Sequence, residues 1–507
     1  MNRSVKIVDL FSGPGGLSEG FSACQLSNST DHPYQIWVSI EKDKAAHRTL
    51  RLRAFLRHFP TFPPEYYAWI EGKIKEPDWF DLYPQQWSSA EAEAICAELG
   101  KAETTSLLSA AINEVKHESH DRTLLIGGPP CQAYSLVGRA RNAGTKSYVA
   151  SEDHRHFLYR EYCRVLNELS PAVFIMENVK GMLSSTVEGL AIFGQVMADL
   201  MNAGPGYRLF SLSDDDTSIA SPRRFLIKAE DYGVPQARHR VIVCGIRADI
   251  AERLPTHVIP KLRRHDRKVT VNEMIRTLPM LRTGLSRNDS PAALREAVND
   301  AASLLKSISN SYPGRNVGAY TTVLDDVAAQ VGQLASFPRQ SNVRNGLDTD
   351  LPESLRTFLD DPKLRAVPNH DTRGHMPSDL ARYMYAACFT VAEGYSPKAS
   401  QFPPEIAPAH VNWKSGKFAD RFRVQRRDVP STTITSHIAK DGHYFIHPDA
   451  KQCRSLTVRE AARLQTFPDN YRFMGNRTEQ FTQVGNAVPP YLALQIAKAI
   501  LPVFDYA

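Results

Sequence analysis

Five short apolar runs punctuate the first half of the chain: VKIVDLF from Val5, YQIWVSI from Tyr34, TLLIGG from Thr123, AVFIMENV from Ala172 and RHRVIVCGI from Arg238. Stretches with helical spacing separate them, such as LSEGFSACQL, AAHRTLRLRAFLRHF and HFLYREYCRVLNEL. Runs that are apolar at nearly every position must be covered on both faces. Joined by helices, they predict an α/β fold with a doubly wound, mostly parallel sheet. In such sheets ligands collect at the carboxyl ends of the strands. Those ends carry SGPGG, EKD, GGPPCQ and ENV here, which narrows the search for chemistry to four short segments.

The remainder of the chain limits the alternatives. With 507 residues it is long enough for more than one domain, and a net charge of +6 permits a polyanionic partner without requiring one. No continuous run of eighteen apolar residues occurs, so no membrane span is expected. The N-terminus reads as a first strand rather than a signal peptide. The seven cysteines are scattered and never spaced as CxxC, which argues against a disulfide scaffold or zinc ribbon and favours a reducing cytoplasm. The histidines of NHDTRGH and HESH lack HExxH spacing and cysteine partners, so no metal is expected. Near Asp249 the βα texture gives way to Pro, Ser, Asn and Arg. The expected organisation is a first domain over 1–248 with a helical insertion at about 69–118. A second, smaller domain follows over 249–450, and residues 451–507 form a hinge and a C-terminal return to the first.

Each strand end has its own chemistry. The glycines of DLFSGPGG let backbone amides approach a ligand closely, although such a turn also serves as an ordinary strand connection. Glu41, ending the next strand, suits ribose hydroxyls. Cys131 follows two prolines in GGPPCQAYS, where a thiol projects into a cleft; Cys24, Cys163, Cys244 and Cys388 read as inert core residues. Glu177 and Asn178 end another apolar strand, and a carboxyl group there needs a partner or a purpose. It could pass a proton to a ring nitrogen, or serve as a helix cap. Arg238 and Arg240 alternate along QARHR, which predicts two guanidiniums on one face.

Taken in order, DLFSGPGG, GGPPCQAYS, ENVKG, QARHR, RSLTVREAARLQTFPD and QVGNAVPP strongly resemble the motifs of the cytosine-5 DNA methyltransferases, spread from Asp9 to Pro490. The resemblance implies a Rossmann-like methyltransferase sheet and a target-recognition domain over 249–450. It also implies S-adenosylmethionine as methyl donor and double-stranded DNA as substrate. Residue by residue, Phe11 would stack near adenine, Gly13, Gly15 and Gly16 would close on the methionine portion, and Glu41 would hold the ribose. Asn486 would complete the cofactor site. Cys131 would be the nucleophile, Glu177 would contact cytosine N3, and Arg240, with Arg238 nearby, the O2 edge. Gln132, Ser135, Arg139 and Arg141 lie in a loop that resembles the one closing over DNA, and Thr433 resembles the threonine that positions the target nucleotide.

Two departures stand out. Lys42 occupies the place of the usual aromatic after the ribose glutamate, and the acidic motif that reads the adenine amino group has no clear counterpart, Asp121 and the insertion being weak candidates. Clustered cations in KLRRHDRK and WKSGKFADRFRVQRR, interleaved with Trp413, Phe418 and Phe422, suggest phosphate contacts or simply a solvated face. The expected enzyme is monomeric on DNA, with a cognate restriction or defence component as a candidate partner. A tRNA cytosine-5 methyltransferase and a catalytically dead DNA-binding regulator are the competing readings.

Overall fold

The computed structural model describes residues 4–26, 29–119, 121–130, 154–184, 186–187, 190–213, 221–408, 413 and 420–507. Two compact units divide the chain. The first comprises Met1–Pro63, Pro77–Arg267 and Ala487–Ala507, and the second Pro64–Glu76 and Lys268–Asn486.

In the first unit, β1 (Val5–Leu10), β2 (Tyr34–Glu41), β3 (Ala94–Cys96), β4 (Thr123–Gly127) and β5 (Val173–Val179) pair in parallel in the order β3-β2-β1-β4-β5. Antiparallel strands complete the sheet: β6 (Tyr207–Phe210) and β7 (Leu226–Lys228) both pair with β8 (His239–Arg247), which pairs with β5. All six residues of β1 are buried because both sheet faces are covered. One face packs Val8, Leu10, Leu125, Phe174 and Met176 against Leu108 and Ile112 of α6 (Ala102–Ser119), Val165 and Leu166 of α7 (His154–Leu169) and Leu200 of α8 (Ile192–Met201). The sheet is therefore mostly parallel and doubly wound.

The other face carries α1 (Gly16–Ser22) and the C-terminal helix α14 (Pro490–Ile500), which pack on each other. Two glycines of α1 make this approach possible. A Cβ on Gly16 would lie 2.3 Å from the Val488 carbonyl oxygen, and one on Gly20 would lie 2.3 Å from that of Pro490. Both are sub-van-der-Waals contacts with backbone, which cannot be relieved by a rotamer change. Tyr34 adds a link by donating to the Ala497 carbonyl at 2.7 Å.

Insertion residues 69–118 are not wholly helical. After α2 (Lys44–Leu56), the short helix α3 (Pro64–Ile70) belongs to the second unit, where Tyr66 donates to the Asn470 carbonyl and the Arg472 guanidinium lies 4.0 Å from the Trp69 ring centre. Helices α4 (Trp79–Leu82) and α5 (Pro84–Glu93) lead instead into β3, the sheet's edge strand. Phe55 of α2 sits against Trp79 and Trp87, and Arg51 pairs with Glu91 at 2.9 Å, so α2 holds α5 and hence β3 in place. The compact units part at Arg267/Lys268 and Asn486/Ala487, against the 248/249 and 450/451 expected from texture. Residues 249–267 stay with the first unit through Leu262 N–H to the Leu212 carbonyl and His265 N–H to that of Asp231, each 2.9 Å.

The second unit has a helical core of α9 (Pro291–Ser307), α10 (Val317–Leu334) and α11 (Pro377–Glu393). Tyr312 stacks on Tyr320 at 4.3 Å between ring centres, with Phe389 and Tyr385 beside them. The segment RSLTVREAARLQTFPD forms α12 (Val458–Leu464), opened by a Thr457–Glu460 capping box and buried at every position. Its charges are paired bidentately: Arg454 with Glu460 at 2.8 and 2.6 Å, and Arg463 with Asp469 at 2.8 and 2.7 Å. The last helix of this unit is α13 (Arg477–Asn486). The stretch Arg477–Asp505 is apolar enough on average to cross a membrane although no single run is continuous; 72% of its most apolar window is buried in the protein, and Pro489 and Pro490 divide it.

Buried histidines give this unit a pH signature. Burial pushes His370 down to about 4, and it pushes His375, His443 and His447 in the same direction. Each is neutral when folded and titrates near 6.5 when unfolded. Their stabilisation is complete above that value and is lost as pH falls below it, for His370 and His447 over the range from 6.5 to about 4. For a fully buried ring such as His370 the loss at pH 5 is about 2 kcal/mol. Asp9 in the first unit runs the other way, burial having raised it to about 7, so its contribution fades as pH rises from 3.8 to 7. Calorimetry at pH 7 and pH 5 is expected to show the second unit's transition moving down on acidification. A transition that stays put or rises would refute this account.

Candidate active site

The loop after β1 is built around Phe11 and three glycines. Phe11 has φ 57°, a left-handed conformation that costs a residue with a side chain, at the point where the chain leaves the sheet. Gly13 has φ 58°, and a Cβ there would meet nothing within 4 Å, so space lies open above its backbone. Gly15, φ 95°, caps α1. Gly16 is required for packing on Val488, a use the motif alone does not disclose.

Glu41 ends β2 beside this loop. Its Oε2 accepts from Gly13 N–H at 2.8 Å and its Oε1 from Asp43 N–H at 2.7 Å, while burial raises the carboxyl group above its ordinary range. Asp43 in turn caps α2 through Ala45 and Ala46 N–H groups. Phe11, Gly13, Gly15, Gly16 and Glu41 are thereby gathered at adjoining strand ends. Two further residues join them. Asp9, fully buried beneath the loop, accepts from the Ser18 hydroxyl and fixes α1 to β1. Glu98 follows β3, whose Cys96 lies opposite Glu41, and it faces Lys42 at 3.5 Å. A three-residue edge strand carries too little periodicity to be read from sequence, so the sequence offered the insertion as a whole and did not single out Glu98 within it. Asp121 precedes β4, at the opposite end of the sheet, and pairs with Arg247 at 3.4 Å.

A second cluster lies at the end of β5. Ile242 of β8 is opposite Glu177 and Arg240 is opposite Val179, so Glu177 and Arg240 are diagonal neighbours. The Arg240 Nε stands 2.8 Å from Glu177 Oε1, with the two side chains 15% and 14% exposed, so the pair is largely but not wholly dry. Arg240 also donates to the His239 carbonyl at 2.9 Å. The loop after β4 passes over this pair: a Cβ on Gly128 would be 3.0 Å from Glu177 Oε2, and Asn178 Nδ2 donates to the Pro129 carbonyl at 3.4 Å. Arg238 is 2% exposed, and burial lowers its guanidinium well below the usual value.

Cys131, Gln132, Ser135, Arg139 and Arg141 lie outside the described residues, as do Lys414, Lys417 and Phe418. Among the other thiols, burial pushes Cys24 and Cys163 up to about 11 and Cys244 and Cys388 up to about 12, which leaves them poor nucleophiles at neutral pH. Thr433 and Asn486 belong to the second unit, Thr433 half-buried after Ser431–Thr432 and Asn486 ending α13. The basic stretch near Arg421 is more structural than its charge suggests. Arg421 pairs with Asp441 at 3.1 Å and Arg426 with Asp428 at 2.6 Å, while Trp413 and Phe422 pack on the core. Among the described residues, no three His, Cys, Asp or Glu side chains gather as metal donors.

Residues 82–502 match the family of C-5 cytosine-specific DNA methylases. The type II methyltransferase M.Bpa9945I of Bacillus paralicheniformis is 32% identical, covering 98% of this chain and 99% of that protein. M.AgeI of Thalassovita gelatinovora, also a type II methyltransferase, is 28% identical over 74% of this chain and 82% of its own. A crystal structure described as a prophage-encoded DNA modification methyltransferase of E. coli aligns over 99% of this chain with a TM-score of 0.52 at 19% identity, a likeness of fold.

Proposed function

Since the chain belongs to the C-5 cytosine-specific DNA methylases, we propose that it transfers a methyl group to C5 of a cytosine turned out of a specific duplex sequence, through a covalent adduct with Cys131. The observation that carries this reading is the Glu177–Arg240 pair, held at 2.8 Å beneath the Gly128–Pro130 loop whose next residue is Cys131. Thiol, carboxyl and guanidinium are the three groups that a cytosine ring needs at C6, N3 and O2. A ring stacked in a duplex cannot reach all three, so the base must leave the helix, at a cost of a few kcal/mol.

Cytosine C5 is too weak a nucleophile to act unaided. The Cys131 thiolate forms a bond to C6, Glu177 places a proton on N3, and the displaced π electrons accumulate at C5. S-adenosylmethionine, when bound, supplies an electrophilic methyl group on a sulfonium. As the C5–methyl bond forms, the bond from methyl to sulfur breaks and a neutral thioether departs. Removal of the C5 proton by a base then expels the Cys131 thiolate, and N3 returns its proton to Glu177, which restores the ring.

The first cluster fits the donor. Open space above Gly13, backbone amides of the loop and the Glu41 carboxylate suit a nucleoside with two hydroxyls. Glu98 is the carboxylate best placed for an adenine amino group, with the Lys42 stem in the position of an aromatic wall. Sequence choice is assigned to the second unit, with Thr433 beside the target nucleotide and Gln132, Ser135, Arg139 and Arg141 on DNA. Because its relatives are type II methyltransferases, we place the enzyme in the cytoplasm, as a monomer on DNA, alongside a cognate restriction activity.

The decisive experiment supplies labelled S-adenosylmethionine with duplex DNA or with tRNA. Label is expected in duplex DNA at C5 of cytosine, and duplexes containing 5-fluorocytosine should trap a protein–DNA adduct, because fluorine cannot leave as a proton does. Label confined to tRNA, or none at all, would overturn the reading.

A further inference from the structure

The segment after Ser431 carries Thr433 and contains one short turn, Ser436–Ala439, so almost none of its shape comes from its own hydrogen bonds. Described contacts from other residues hold it at its start, middle and end, among others. At its start, the buried Gln425 side chain accepts from Thr432 N–H at 2.9 Å and from the Thr432 hydroxyl at 3.1 Å, while its own amide donates to the Tyr444 carbonyl at 2.7 Å. In the middle it lies directly on α13: a Cβ on Gly485 would stand 2.2 Å from Ser436 N and 2.6 Å from the Thr435 carbonyl oxygen. At its end the Arg373 guanidinium donates to the Ile438 carbonyl at 2.7 Å and to the Lys440 carbonyl at 3.1 Å. Ile434 and Ile438, both 0% exposed, plug the segment into the core between these anchors.

Arg373 is itself fixed. Its guanidinium lies 4.6 Å from the ring centre of Phe481 on α13, and its backbone carbonyl accepts from Gly284 N–H at 3.3 Å. Its neighbours are tied to the same helix, since Arg477 donates to the Asp371 carboxylate at 2.9 Å and to the Thr372 carbonyl at 2.8 Å. A planar fork is needed to reach two carbonyls while stacking on a ring, which an ammonium group cannot do. The carbonyls it caps are those that a short turn leaves without partners.

We infer that Arg373 is a positioning residue for methyl transfer: it fastens the 431–441 segment to α13 and so presets Thr433 for the target nucleotide. The inference rests on the DNA cytosine-5 reading above. It adds a residue that touches neither base nor cofactor, and makes α13 the common support of Thr433 and Asn486. Displacing a positioning group by about 1 Å is enough to slow a reaction roughly 100-fold.

Arg373→Ala, Arg373→Lys, Thr433→Ala and the Arg373→Ala/Thr433→Ala double variant of the full chain test this in two ways. Amide hydrogen exchange should show lost protection confined to 431–441 in Arg373→Ala, with a smaller loss in Arg373→Lys. Single-turnover transfer to duplex DNA should fall roughly 10- to 100-fold in Arg373→Ala and Thr433→Ala. The double variant should be no slower than the slower single one, while S-adenosylmethionine affinity stays within about twofold. Unchanged protection, an unchanged rate, or losses that multiply would overturn the inference. Should Arg373→Ala fail to fold, Arg373→Lys carries the exchange test, and wild-type protection there would be equally fatal. A wild-type protein that labels no duplex instead overturns the reading on which the inference rests, and is distinguished by that result alone.

Discussion

Cys131→Ser is expected to abolish methyl transfer while both substrates still bind. Serine keeps the shape of the side chain and loses the nucleophile, because a hydroxyl at neutral pH supplies almost no oxyanion, whereas a thiol near its ordinary value already supplies some thiolate. Removal of a covalent nucleophile elsewhere costs on the order of 10⁶-fold, and a loss of at least about 10⁴-fold is expected here. Gel-shift affinity for duplex DNA and equilibrium binding of S-adenosylmethionine should change by no more than about threefold, since neither ground-state complex needs the sulfur–carbon bond. The 5-fluorocytosine adduct should vanish with the activity. Cys24, Cys163, Cys244 and Cys388 offer no substitute, because burial has pushed them to about 11 or 12. Transfer that persists in the serine variant would show that cytosine is activated in another way.

How much of this was legible beforehand differs between the units. The long buried strands of the first were readable because nearly every position in VKIVDL and VFIMENV is apolar, a pattern that only a two-sided sheet explains. Glu177 was singled out for the same reason, since a charge ending such a run needs a use, and Arg240 by its alternation with Arg238 ahead of VIVCGI. The edge strand Ala94–Cys96 was not, since three residues have no period and its place depends on α5 packing against α2. In the second unit, STTITSHI suggested a strand, yet only Ser431–Thr432 is extended and paired as one. Ile434 and Ile438 are spaced as plugs into a core, and the residues that shape the segment lie outside it, Gln425 7 residues from the Thr432 it bonds and Arg373 65 from Ile438. Long-range anchoring of that kind leaves no local signature. In the basic stretch, Arg421 and Arg426 find carboxylates and Trp413 and Phe422 pack on the core, contacts that charge alone does not disclose.

The second large effect is expected at Glu177. Glu177→Gln conserves size and a hydrogen-bonding face towards N3 but has no proton to give, so negative charge generated by attack at C6 stays on the ring. Loss of a general acid costs typically 10²- to 10⁴-fold, and roughly 10³-fold in single-turnover rate is expected, with little change in DNA affinity. Arg240→Ala should produce a loss of similar size by two routes at once. It removes the donor to O2, and it leaves a 14%-exposed carboxylate without the guanidinium that stood 2.8 Å away. The two groups are diagonal neighbours on β5 and β8, and each orients the other. Their losses should therefore not add: the Glu177→Gln/Arg240→Ala variant should be within about tenfold of the slower single variant rather than at the product of the two. Arg240→Lys, which keeps the charge and loses the fork, should fall between wild type and Arg240→Ala. Multiplicative losses across the double-mutant cycle would mean that carboxyl and guanidinium act on cytosine independently, and that their pairing is incidental to the chemistry.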